Sequence, residues 1–122
     1  MKLLFASAER DLLLCYSRIL GTEDREIFTA FDGPQLYSQL AGGIDLVITD
    51  ASLPRLDTAG LIRYLEEEGS RLILLIDDKR TQEACAGKLP AEAFLRYPFS
   101  PEELEAKIRE NLNRKDRKEA ER

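Results

Sequence analysis

Two hydrophobic periodicities alternate along the chain, and nothing else in its sequence restricts the fold as strongly. Short apolar runs of strand length are each followed by a stretch in which apolar residues recur three and four positions apart. Lys2 to Ala6 (KLLFA) reads as a buried strand, and Leu12, Leu13, Cys15, Tyr16, Ile19 and Leu20 then follow at helical spacing, with Gly21 at the helix end. Glu26 to Phe31 places Ile27 and Phe28 in a second strand. Asp32-Gly33 signals a turn, Pro34 suits a first helical turn, and Leu36, Tyr37 and Leu40 mark a helix stopped by Gly42-Gly43. Ile44 to Thr49 is β-branched and almost wholly apolar, as a strand buried on both faces requires.

A loop with Pro54 leads to a helix over Ala59 to Glu67, striped by Leu61, Ile62 and Leu65 and broken at Gly69. Arg71 to Ile76 is a further buried strand. Thr81 to Lys88 reads as a short helix ended by Pro90, and Ala93 to Arg96 as a brief fifth strand. Ser100-Pro101-Glu102-Glu103 combines an N-cap, a proline at N1 and a glutamate at N3. Leu104, Ile108 and Leu112 carry the last helix. Five β-α units in strict alternation predict one α/β domain, a doubly wound five-stranded parallel sheet covered by helices on both faces. In such a sheet the functional crevice lies at the carboxyl ends of the strands. Here that edge holds Ser7 to Glu9, Asp50, Ile76 to Asp78 and Tyr97.

Composition narrows the chemistry. The length of 122 residues suits one core without a staple. With 43% hydrophobic and 34% charged residues the chain is globular. A net charge of -5 disfavours phosphate contacts, so no nucleic acid is expected to bind this domain itself. There is no histidine, which excludes Ser-His-Asp and Cys-His catalysis and a phosphohistidine carrier. Two cysteines, Cys15 and Cys85, are too few for a cysteine-rich zinc site. Cys15, within an apolar helical stretch, is expected to fill core space. No signal peptide or membrane span is evident, so no membrane association is expected and reduced cytoplasm is the expected compartment. Residues 1–113 form the expected domain, and 114–122 a charged tail or linker stub.

Three local patterns fit one family. DLVITDASLP (Asp45 to Pro54) resembles the third strand of response-regulator receiver domains, where an aspartate ends the strand and Leu-Pro follows in the loop. RYPFSPEEL (Arg96 to Leu104) resembles the end of their fifth strand, usually Lys-Pro-Phe, and KLLFASAERDLLL (Lys2 to Leu14) their first strand and helix. The likeness covers nearly the whole chain. It implies a flavodoxin-like (β/α)5 domain of the chemotaxis-regulator kind with strand order 2-1-3-4-5. It also implies a cis bond at Tyr97-Pro98.

A working receiver phosphorylates an aspartate. Carried over residue by residue, the resemblance leaves one part of that machinery in place. Asp50 matches the phosphoacceptor. Ser7 and Ala8 stand where the magnesium-binding acidic pair would be, Ile76 where a Ser or Thr hydroxyl would be, and Tyr97 where a lysine would be. Phe94 matches the switch aromatic of the fifth strand. The expectation is an atypical receiver, or pseudo-receiver, that holds no magnesium, is no enzyme, and signals through protein–protein contact. Its rival is a conventional Asp50-phosphorylated receiver with a degenerate metal site, as the regulatory half of a DNA-binding response regulator.

Glu9, Asp77 and Asp78 are the nearby acids that would stand in as metal ligands, although Asp77 and Asp78 also suit a helix N-terminus. Tyr97 is placed to donate its phenol hydrogen to Asp50, or else to be a partly buried aromatic at a strand end. A partner protein or a second copy is expected on the face of the fourth helix, fifth strand and fifth helix, with Phe94, Arg96, Lys107 and Arg114 as contacts. An enzyme of the same shape would need a glycine-rich phosphate loop after the first strand, where Ser7-Ala8-Glu9-Arg10 stands instead.

Overall fold

The computed structural model describes residues 1–85 and 87–120, with side chains up to Leu112 in the last helix. The elements run β1 (Lys2–Ala6), α1 (Arg10–Leu20), β2 (Glu26–Ala30), α2 (Gly33–Leu40), β3 (Leu46–Asp50) and α3 (Thr58–Glu68). They continue with β4 (Arg71–Ile76), α4 (Lys79–Cys85), a 3-10 turn (Ala91–Ala93), β5 (Phe94–Arg96) and α5 (Pro101–Ala120). All five strands pair in parallel in the order β2-β1-β3-β4-β5, as the sequence led us to expect.

The apolar runs divide by the strand period of two. Leu3 and Phe5 of β1, Leu46 and Ile48 of β3, and Ile73 and Leu75 of β4 face one way, onto Leu13, Tyr16 and Leu20 of α1 and Leu104 and Ile108 of α5. Leu4, Ala6, Val47 and Leu72 face the other way, onto Leu36 and Leu40 of α2 and Leu61, Ile62 and Leu65 of α3. A smaller cluster of Leu74, Ile76 and Phe94 lies under α4. Deleting one of these fully buried leucines costs about 2–5 kcal/mol.

Helix ends follow local chemistry. Asp32 caps α2 by accepting the Gln35 N–H at 2.9 Å. Gly69 closes α3 in the left-handed region at φ 75°. Ser100 Oγ accepts the Glu103 N–H at 3.1 Å, while Glu103 reaches the Ser100 hydroxyl, not its backbone N–H. Gly21 ends α1 in extended backbone, so its place owes nothing to a left-handed turn.

Several expectations need correcting. Cys15 is exposed, because the buried face of α1 is set by Leu13, Tyr16 and Leu20, and Cys15 falls on the opposite side. Ile19 is exposed for the same reason. The fourth helix starts earlier and ends sooner than the sequence implied, and it buries no residue. β2 stops before Phe31, and Ala93 belongs to the 3-10 turn. β3 omits Ile44 and extends to Asp50. Helical backbone continues to Ala120 through most of the charged segment, and residues 121 and 122 lie outside the described ones. Among the described residues, no helix is long and apolar enough to cross a membrane.

Candidate functional site

Parallel pairing puts the ends of β1, β3, β4 and β5 side by side. Asp50 is the last residue of β3 and lies in register with Leu75 of β4. The neighbouring Ala51 N–H donates to the Leu75 carbonyl at 2.9 Å, which holds the strand end in the sheet. Tyr97, one residue past β5, is held likewise: its N–H donates to the Ile76 carbonyl at 2.8 Å. The Tyr97-Pro98 bond is cis, in agreement with the family pattern.

These two anchored ends bring one pair of side chains together. The Tyr97 hydroxyl donates to Asp50 Oδ1. Burial above all, then the hydrogen bond to Asp50, the Asp50 charge and the charge of Glu9, hold the Tyr97 phenol well above its ordinary range. It is therefore a neutral donor at any physiological pH. The ring is fixed as well as the hydroxyl. Tyr97 packs on Phe99 with centroids 4.9 Å apart, Phe99 on Tyr16 at 5.6 Å, and Tyr16 stacks on Phe5 at 5.4 Å. The Tyr16 hydroxyl also donates to the Phe99 carbonyl at 3.5 Å. A continuous file of four rings thus runs from the interior strand β1, through α1, to Asp50.

The hydrogen bonds of the other predicted positions run elsewhere. Ser7 is buried, its N–H donates to the Ala30 carbonyl at 3.0 Å, and its hydroxyl accepts the Glu9 N–H at 3.2 Å. Its hydroxyl oxygen thus serves its own loop, and its N–H ties that loop to the end of β2. Ala8 is exposed and offers a methyl group. Ile76 is buried beside Leu74 and Phe94 and brings no hydroxyl. Asp78 turns to α4, where its Oδ1 accepts the Thr81 N–H at 2.8 Å. That backbone hydrogen bond keeps its carboxyl below the usual range. Asp77 is exposed. Among the described residues, no three acidic, histidine or cysteine side chains converge as a metal-binding group.

The expected partner face also changes. Phe94 is only 6% exposed and packs inward against Leu74 and Ile76, with Ala51, Cys85 and Leu89 around it, so it supports α4 from below and offers no contact surface. Arg96 is exposed, and Lys107 lies 3.7 Å from Glu110 on α5. The Arg114 side chain lies outside the described residues. A cavity of about 440 Å³ separates α3 from α4, between Asp57, Ile62, Arg80, Cys85 and Lys88. It accords with a fourth helix that buries nothing.

Sequence reasoning found the Tyr97–Asp50 contact but missed the ring file behind it. The aromatic residues were visible, yet nothing in their spacing ties Tyr16 to Phe99. It also missed the ion pair of Arg25 and Glu105, whose members are 80 residues apart.

Comparison with known proteins gives a consistent result. No protein-family model matches the chain. The response regulator GtcR of Aneurinibacillus migulanus is 30% identical over 115 residues, which is 92% of this chain and 48% of that protein. The chain spans about half the length of most curated relatives it matches. A response regulator receiver domain protein from Clostridium thermocellum superposes with a TM-score of 0.76 at 25% identity, over 94% of this chain and 96% of the other. A CheY-like receiver domain protein from Methanospirillum hungatei JF-1 gives 0.81 at 18% identity, over 96% and 97%. Strand order, the aspartate at the end of β3, the cis proline after β5 and these likenesses agree: the chain belongs to the response-regulator receiver domains.

Proposed function

We propose that this chain is a receiver module of two-component signalling that works without aspartyl phosphorylation and acts through protein–protein contact, not as an enzyme. The observation that carries this reading is the hydrogen bond from the Tyr97 hydroxyl to Asp50. Where a lysine would compensate charge, a neutral phenol occupies the carboxylate and the file of rings braces it.

The donor set around Asp50 does not fit a magnesium ion. Magnesium asks for near-octahedral oxygen ligands, commonly one or two carboxylates with waters and phosphate. The positions that would supply acids hold Ser7, whose hydroxyl already accepts from Glu9, and Ala8. Phosphoryl transfer rests on positioning and charge neutralisation. Ile76 supplies no hydroxyl, and Tyr97, its phenol already given to Asp50, supplies no ammonium to meet the phosphoryl oxygens. Loss of one such electrostatic partner costs about 2–4 kcal/mol in a transition state, so losing several makes labelling extremely slow.

The test is incubation of the whole chain with acetyl phosphate and magnesium, read by intact mass. No phosphoryl adduct is expected on the native chain. A chain carrying Ala8→Asp, Ile76→Thr and Tyr97→Lys regains those groups and is expected to label at Asp50. Magnesium-dependent labelling of Asp50 in the native chain would overturn the reading and restore the conventional phosphorylated receiver.

A further inference from the structure

We infer that the outward face of α1 is a self-complementary surface on which a second copy of this chain docks, helix against antiparallel helix. Asp11, Leu14, Cys15 and Arg18 are spaced i, i+3, i+4 and i+7, so they line one stripe of the helix. That stripe lies opposite the buried Leu13, Tyr16 and Leu20. All four residues are exposed, Leu14 at 62%, and Ile19 beside them is 46% exposed. Among the described residues, neither Asp11 nor Arg18 takes part in an ion pair within the chain.

An acid in the first turn and a base in the last are what the helix dipole favours on any solvated helix. The dipole does not account for the two residues between them. A solvated stripe would be polar throughout, whereas this one has leucine and cysteine at its centre.

The order acid, apolar, apolar, base reads the same from either end once the charges are exchanged. A two-fold axis through the middle of α1 sets Leu14 opposite Cys15 of the second copy and Asp11 opposite its Arg18, twice over. This is the isologous contact that a two-fold dimer requires. Antiparallel helices crossing at about 20° pack such a stripe with its mate. Charge complementarity therefore selects a second copy in this orientation; a parallel pairing would set Asp11 against Asp11.

The contact is small. Eleven residues give a helix about 16 Å long. One helix pair stays well below the roughly 1,000 Å² of a stable interface, so a weak, reversible dimer is expected. The surface is distinct from the Asp50 crevice. Failure of self-association leaves the acetyl-phosphate test untouched, and the reverse holds too.

The experiment is sedimentation equilibrium of the full chain across a range of concentrations, with circular dichroism to show that each variant is folded. The native chain is expected to associate reversibly, and less so as salt is raised. Asp11→Arg and Arg18→Asp each place like charges together at two points and are expected to weaken association about tenfold. The double exchange Asp11→Arg with Arg18→Asp restores the pairing and is expected to recover native association. A chain that stays monomeric throughout would overturn the inference. So would association indifferent to the single reversals, or a folded double exchange no better than either single one.

Discussion

Arg25 and Glu105 meet as a two-pronged ion pair, with both nitrogen–oxygen distances 2.6 Å, and so tie the approach to β2 to the second turn of α5. The side chains are 11% and 29% exposed, so the pair is partly shielded from solvent. Hydrogen bonding to Arg25 is the main cause that holds the Glu105 carboxyl below its ordinary range. A carboxyl lowered in the folded state stabilises above its unfolded pKa and loses that contribution as pH falls through the folded value. Stability measured in urea should therefore drop on acidification below the ordinary glutamate range. Glu105→Gln should be less stable at neutral pH by on the order of 1–3 kcal/mol, with a flatter acid limb.

Tyr97→Phe keeps the ring on Phe99 but removes the donor to Asp50. The partly buried carboxylate loses a partner, at a cost of about 1–2 kcal/mol. Alkali gives a second readout. Because burial and Asp50 raise the Tyr97 phenol, its contribution is complete below the unfolded tyrosine pKa and fades as pH rises above it. Ultraviolet titration of the four tyrosines should show a phenol that resists ionisation until the fold opens, and Tyr97→Phe should remove it.

Gly33→Ala should be among the most damaging single-methyl changes in the chain. The Gly33 N–H donates to the Pro54 carbonyl at 2.8 Å, and a Cβ there would lie 2.0 Å from the Arg55 carbonyl oxygen. Both partners are backbone, and Arg55 already sits at φ 58°, so the loop after β3 must be displaced as a unit. A loss of about 1–3 kcal/mol in chemical denaturation is expected, with perturbed amide signals at Asp50.

Thiol chemistry should distinguish the two cysteines. Cys15 is exposed on α1, whereas Cys85 is partly covered at the end of α4. Cys15 should react first with a disulfide reagent. Hydrogen exchange at Lys79–Cys85 should be faster than in α3, since α4 buries no residue.

How much of this was readable follows from where each signal is written. Strand runs such as Leu72 to Ile76 declare themselves, because burial on both faces leaves no polar residue to disguise them. Asp50 and Tyr97 were legible as a pair because each ends a recognisable motif. Cys15 was misplaced since Leu14, Cys15 and Ile19 put apolar residues outside the face that Leu13, Tyr16 and Leu20 define. Phe94 was given to the surface by analogy, whereas the register of β5 on β4 turns it under α4. Arg25 with Glu105, and Gly33 with the Pro54 loop, are meetings between distant segments that only the folded chain creates.

The four rings from Phe5 to Tyr97 carry a mechanical consequence. Their inner end is rooted in a strand paired on both sides. Without the hydrogen bond to Asp50, the outermost ring, Tyr97, would keep only its packing on Phe99, while Phe5 stays between two paired strands. The brace behind the crevice is thus made of uncharged rings, whose packing owes nothing to ionic strength.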